Sequence, residues 1–307
     1  MGRALRRLSV TVLGGVAVVV GVAAFTWLLL HTMRPSLFPD HPSALHQLGT
    51  FLERAFLHFD FDRTAFGQRE VTQLVREGLP ADLALYAGGL VCGLALGIGV
   101  GLFCGARPRS LATRAIEAVA AAAISTPVYV VGLSLLLLFG ADIAKVDVGI
   151  GIPLEYVPFS HDPARWLGAI VVPWLVLGLP LAGLCVRVMA AGTTEVLAED
   201  HIRTARAQGI APGRILRRHV LPVAVTPTLA VASASANILL INMVLVEKVF
   251  DIPGFLQEVT RSVGDADVPV LLALSIVFAA FIVLTSILLG AVIDALDPRA
   301  RARRWAR

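Results

Sequence analysis

Charge is scarce in this 307-residue chain: Asp, Glu, Lys and Arg together make up 16% of it, where a soluble domain carries about a quarter. Such a composition excludes water as the main solvent. Lysine is almost missing, with Lys145 and Lys248 against 24 arginines. Cysteine is confined to Cys92, Cys104 and Cys185, each in or at the edge of an apolar stretch. That placement offers no extracytoplasmic disulfide and no metal-ligand spacing. The phosphate loop Gly-x4-Gly-Lys-Ser/Thr, His-Glu-x2-His, Cys-x2-Cys and Gly-x-Ser-x-Gly are all absent, so nucleotide hydrolysis and the common metal and nucleophile chemistries have no home here. No catalytic residue and no metal or other cofactor is expected in the chain. Whatever it drives must borrow its energy.

What the chain has in abundance is apolar length, 57% of its residues being hydrophobic. Six stretches reach the roughly 20 residues that a helix needs to cross a bilayer: Leu8–Leu30, Leu83–Cys104, Ala115–Gly140, Trp166–Val186, Val223–Val246 and Val268–Ile293. Glu117, near the end of its stretch, is the one charged residue inside them. The first stretch follows Arg3, Arg6 and Arg7 but is much longer than the ~7–15 residues of a signal-peptide core, and reads as an uncleaved helix. The fold class expected is an all-α integral membrane protein with six transmembrane helices. Its parts are an N-terminal helix at 1–30, an extracytoplasmic loop with short helices at 31–80, a five-helix core at 81–298 that includes a cytoplasmic loop at 195–222, and a basic tail at 299–307.

Basic residues gather on alternate sides of the spans. Seventeen of the 26 fall in the N-terminus, the second and fourth connections and the tail, and the positive-inside rule makes those segments cytoplasmic. With an even number of spans, both termini then lie in the cytoplasm. The other side carries acids such as Asp60, Asp62, Glu70, Asp142, Asp147, Asp251, Asp265 and Asp267. The net charge of +4 is therefore a matter of topology, and nucleic acid is not an expected partner.

Within the spans, Gly89, Gly93, Gly97, Gly101 and Gly105 recur every fourth residue, laying a groove along one helix face against which another helix can pack closely. Pro173 and Pro180 in the fourth span and Pro227 in the fifth favour kinks. The most polar span is the fifth, with Ser233, Ser235, Asn237 and Asn242. The ordinary role of such side chains is hydrogen bonding between helices; Ser233, Asn237 and Asn242 are also the candidates to line a pathway. An ion-coupled carrier usually keeps ionisable residues within its spans, and the span centres here hold none. Outside the spans, Phe51, Leu52, Ala55, Phe56 and Phe59 and then Val71, Leu74, Val75 and Leu79 recur at helical spacing, predicting short interfacial helices. Ile252, Phe255, Leu256, Val259 and Val263 predict another over an external mouth.

The fourth connection is the most informative. Glu195 to Gly209 followed by Ile210 to Pro222 reads as helix, turn, helix, with Ile202, Ala205 and Gly209 on a small-residue face, Gly209 suited to a helix end and Pro212 to the next helix start. Spacing alone also admits a short helix lying on the membrane surface. Arg203-Thr-Ala205, three residues, Gly209, nine residues, then His219-Val-Leu221-Pro222 resembles the EAA loop, EAA-x3-G-x9-I-x-L-P, of permeases from binding-protein-dependent ABC importers. In the peptide/nickel branch, which includes the oligopeptide permeases, the loop typically reads YVRTARAKG, which His201 to Gly209 follows closely. Leu79-Pro-Ala-Asp-Leu83, Ser125-Thr-Pro127-Val-Tyr129-Val-Val-Gly132, Pro173, Glu247-Lys-Val-Phe250-Asp-Ile-Pro253-Gly254, Asp267-Val-Pro269 and Leu296-Asp-Pro298-Arg299 resemble further segments of that branch. The first loop departs from it. Family members commonly carry a Gly-Asp-Leu-Gly-like stretch where this chain has Phe59-Asp-Phe-Asp-Arg63.

The resemblance implies a type I importer permease (MetI-like) fold and a coupling helix at Glu199–Gly209 that docks on a cytoplasmic ATPase. Ile202, Thr204, Ala205 and Gly209 would make its close contact, Arg203 and Arg206 its charged contacts, and Leu221 and Pro222 would set the entry to the fifth span. It implies as partners two ABC ATPase subunits, where ATP and Mg would bind, a second and different permease chain, an extracytoplasmic substrate-binding protein and the bilayer. Di- or oligopeptides are the implied cargo. A secondary transporter or channel acting alone is the alternative, and a membrane-embedded enzyme ranks below it.

Overall fold

The computed structural model of the chain describes residues 2–38, 43–64, 69–139, 155–258 and 267–296. Among them the protein is helical, with one isolated antiparallel bridge between Arg63 and Glu70. Four helices are long and apolar enough to cross a membrane: α1 Gly2–Met33, α3 Val71–Ala106, α6 Pro163–Leu197 and α11 Val268–Leu296. Helix α2, Ala44–Glu53, lies in the first connection. Two bent pairs, α4 Leu111–Ser125 with α5 Val128–Phe139 and α9 Leu221–Ala234 with α10 Ala236–Val249, bring the number to six where each pair counts as one broken span. Between α6 and α9 come α7, Asp200–Ala207, and the short α8, Pro212–Ile215.

The expected third span is not one helix. α4 and α5 meet at 107°. Pro127 has no N–H and its ring disfavours the helical region for the residue before it, and Thr126 accordingly sits at φ −88, ψ 129. The fifth span bends by 53° at Ser235, eight residues past Pro227, which the helix carries in its interior. Neither Pro173 nor Pro180 ends α6, which runs unbroken for 35 residues. α3 differs from expectation as well. The separate interfacial helix at Val71–Leu79 is its first turns, continuing through Pro80, so that 36 residues span about 54 Å at 1.5 Å each.

The chain falls into two compact units, one of Met1–Ala84 and Ile252–Ile287, the other of Leu85–Asp251 and Leu288–Arg307. In the first, α1 packs on α11 through Gly15, where an added Cβ would lie 2.5 Å from Val283 Cγ1. The buried Asp82 carboxylate accepts the Phe255 N–H at 3.2 Å, holding the turn Leu256–Glu258 against α3. Ile252, Phe255 and Leu256 are buried there, but only Leu256–Glu258 form a helical turn, of 3-10 type, where the periodicity predicts a longer helix; Val259 and Val263 lie outside the described residues.

In the second unit α6 is the central element: 61% of its most apolar window is buried, against 22% for α1. Asp162 caps its start, accepting from Ala164 N and Arg165 N at 3.0 and 3.1 Å, and Pro163 occupies the first turn, where no donor is needed. The five-glycine face of α3 lies on α6. A Cβ at Gly89 would fall 2.8 Å from Leu177, at Gly93 2.9 Å from the Gly178 carbonyl, at Gly101 2.6 Å from Met189 and at Gly105 2.5 Å from Thr193; at Gly97 it would collide with Cys185. The opposing side chains Leu177, Leu181, Cys185, Met189 and Thr193 repeat with the same period of four. Close backbone approach supplies here the attraction that lipid-exposed apolar surface cannot.

Candidate functional site: the loop between the fourth and fifth spans

α6 ends at Leu197, and Glu199 starts the next helix with extended backbone, φ −67 and ψ 150. Asp200 stands in the first turn of α7 and Arg206 in the last, each placed to oppose the helix dipole. The helix closes with two reversed bonds, Gly209 N–H to Arg206 O at 3.0 Å and Ile210 N–H to Ala205 O at 3.2 Å. This is the Schellman arrangement, which requires a left-handed residue. Gly209 supplies it at φ +76. Pro212 then opens α8, as the spacing predicts.

From there the chain does not turn into a new helix. Residues Pro212–Ala234 are continuous, with a π-helical stretch Leu216–Val220 just before Leu221 and Pro222. Pro222 has no N–H to return to the preceding turn, and the wider π turn, in which Leu221 N–H reaches Leu216 O, absorbs the mismatch. The expected entry point at Pro222 is thus a change of helical pitch within one rod.

The two faces of α7 are unlike. Ile202 and Ala205 are 0% and 6% exposed and belong to one apolar cluster with Met189 and Val196 of α6, Ile215 of α8, Val220, and Ala224 of α9. This corrects the expectation that Ile202 and Ala205 meet a partner: they are consumed by the chain's own core. All the other residues from Glu199 to Gly209 are exposed, Arg203, Thr204, Arg206, Ala207 and Gly209 among them. Arg203 is held to Asp200 at 3.1 Å and His201 Nδ1 to Glu199 at 2.9 Å, while Thr204 turns its hydroxyl back to the Asp200 carbonyl. Arg206 makes no ion pair among the described residues. A Cβ at Gly209 would meet nothing within 4 Å, so its own chain needs glycine for backbone angle rather than for space.

The fifth-span polar residues are not gathered into one site. Asn242 donates to the Ile238 carbonyl of its own helix at 2.9 Å, Asn237 is exposed and Ser233 half-buried. Two buried carboxylates lie just outside the spans that hydropathy draws, both within segments that resemble the peptide branch. Asp82 lies inside α3 rather than before it, and Glu247, fully buried in α10, stands one residue beyond the span drawn to Val246. Length alone, α10 running on to Val249, could have signalled the second.

A helical, multiply spanning chain with an inward-anchored, outward-charged helix between two spans has the character of a transport-system membrane subunit. Residues 97–302 match the family of binding-protein-dependent transport system inner membrane components. Among curated relatives, the chain is 26% identical over 314 residues to the "Probable peptide ABC transporter permease protein" of Sinorhizobium fredii, covering 97% of this chain and 98% of that one. It is 27% identical to the di/tripeptide transport system permease protein of Pseudomonas aeruginosa, with 86% of each covered. Identity reaches 30% with the oligopeptide transport system permease protein of Mycobacterium bovis, over 79% of this chain and 76% of that one. The chain belongs to the family of binding-protein-dependent transport system inner membrane components. It is a membrane-embedded permease of an ABC importer and not itself an enzyme, and membership implies an ATPase and a substrate-binding protein as partners in general.

Proposed function

We propose that this permease passes di- or oligopeptides across the bacterial inner membrane, with both termini in the cytoplasm, by coupling α7 to an ATPase. The observation that carries the coupling role is the double-faced helix. Because Ile202 and Ala205 are packed among residues of α6, α8 and α9, a push on Arg203, Thr204 or Ala207 is delivered to both flanking spans without slack. Arg203 and Arg206 would make charge-assisted contacts with the ATPase groove, and Gly209, with open space around it, would let the groove wall approach closely. Two ATPase subunits would hold ATP and Mg, this chain holding neither, and a second, different permease would complete the pathway, with Ser233, Asn237 and Asn242 as its candidate lining. A substrate-binding protein would deliver cargo from outside. The peptide assignment is supported by the relatives named above, and the orientation by the arginine bias of the sequence.

The test is ATP-driven uptake of a mixed peptide pool into vesicles carrying this subunit with its co-purified partners, native against Thr204→Trp. Thr204 is exposed and in a helix, so tryptophan there leaves the fold intact. Loss of both uptake and ATPase co-purification is expected. Transport by the subunit with no ATPase present would overturn the reading in favour of a carrier acting alone.

A further inference from the structure

A cavity of about 450 Å3 opens within the first unit, in the connection between the first two spans. That volume is in the range of small-ligand sites, ~300–1,000 Å3. Trp27 of α1, Phe51 of α2 and Phe61 give it aromatic walls, and Arg54, Asp60 and Asp62 converge along one side. The Arg54 guanidinium bridges both acids: Nε and Nη2 reach Asp60 Oδ2 at 3.0 and 2.6 Å, and Nη1 reaches Asp62 Oδ2 at 3.0 Å. Of the lining residues that carry charge at neutral pH with His46 counted neutral, one cation stands against two carboxylates, and each carboxylate keeps acceptor capacity beyond these bonds. An anion would be repelled here. Apolar and aromatic walls beside carboxylates suit a cation carried on an apolar body.

The backbone at the rim carries independent weight. Phe59 and Asp62 are two of the three non-glycine residues with positive φ among the described residues, at 52° and 69°. A left-handed conformation is uncommon for a residue with a side chain, and glycine adopts it freely. The Asp62 side chain lines the cavity, and the Phe59 ring packs edge-on against Phe61, a cavity wall, at 5.1 Å.

We propose that this cavity binds an ammonium group carried on an apolar body, with the cation at Asp60 and Asp62 and the body among Trp27, Phe51 and Phe61. Short peptides present that chemistry at a free N-terminus, and naming them as the source rests on the peptide reading above. The amine headgroup of a phospholipid is the second source of the same chemistry.

The experiment measures equilibrium binding of tritiated phenylalanyl-phenylalanine and of its N-acetylated form to the full chain in nanodiscs of phosphatidylglycerol, which has no amine. The free dipeptide should bind about tenfold more tightly than the acetylated one. Asp62→Gly relieves the backbone and so retains the fold, as its melting temperature will report, yet it should abolish that preference; Asp62→Asn, which keeps the shape, should do the same. Competition by phosphatidylethanolamine in the native chain but not in Asp62→Gly would support the site with the headgroup as its occupant. Equal binding of free and acetylated dipeptide, or an unchanged preference in both variants, overturns the proposal. Peptide uptake by the assembled transporter without any ammonium preference would sink the cavity and spare the permease reading, and ammonium binding without peptide uptake would do the reverse.

Discussion

The loop at 195–222 and the loop at 31–80 solve the same local problem in opposite ways. Each must reverse a helix with a left-handed residue. The first uses Gly209 at φ +76, and the second uses Phe59 at φ 52 and Asp62 at φ 69. The loop at 31–80 bears side chains at its left-handed positions, and it compensates locally. Arg54 ties down Asp60 and Asp62, Asp62 N–H donates to Asp60 Oδ1 at 3.0 Å, and Thr72 both accepts from Phe61 N–H and donates to the Phe59 carbonyl. The loop at 195–222 has its strength in apolar burial and the loop at 31–80 in a polar knot. Burial is the stronger anchor.

The largest effects should break that asymmetry at its buried end. Ile202→Asp places a charge within a closed apolar cluster and should cost about 3–5 kcal/mol, seen as a collapse of thermal stability in detergent and loss of uptake. The same aspartate at Leu45 in α2, a residue 83% exposed, should leave both within measurement error. Next comes the glycine exchange. Gly209→Ala should lower stability by about 1 kcal/mol, whereas Asp62→Gly should leave the melting temperature level or raised, since relief of backbone strain offsets an exposed ion pair worth under about 1 kcal/mol. A fall for both would erase the contrast between the loops. Arg54→Ala should be smaller still in stability, and visible as faster amide exchange at Phe61 and Asp62 with none at Gly209.

The smallest effect is in pH. Acceptance of the Asp62 N–H, and then the Arg54 bonds, hold the Asp60 carboxyl below the usual carboxylate range. A depressed folded value means that stability is present above the unfolded value of about 3.9 and is lost as pH falls through the folded one. Protection of the Asp62 amide should therefore hold from neutrality down to about pH 4 and fail below it.

How much of this was legible follows from how local each signal is. The glycine face at Gly89–Gly105 and the helix end at Gly209 were readable because the information sits within a few turns of chain. The break at Thr126–Pro127 was hidden inside an unbroken apolar run, where hydropathy gives one span and only the backbone limits of the proline give two helices. Ile202 and Ala205 were seen as a face but assigned outward, because a stripe of small and apolar residues looks alike whether it meets a partner or its own spans. The Asp82 carboxylate and the Phe255 amide are distant in sequence, and nothing near either announces the other. The cavity beside Asp62 was invisible for a related reason: its walls come from α1, α2 and α11, and its clue, a non-glycine residue at positive φ, exists only in three dimensions.

The matched fourfold repeats on α3 and α6 have a mechanical corollary. Both surfaces are commensurate, knobs at Leu177, Leu181, Cys185, Met189 and Thr193 against gaps at the five glycines. Sliding one helix along the other by a fraction of the repeat would drive each knob into backbone, while a slip of four residues, about 6 Å, brings knob and gap back into phase. The pair behaves as a pawl on a toothed rack, resisting small creep and allowing displacement only in whole teeth.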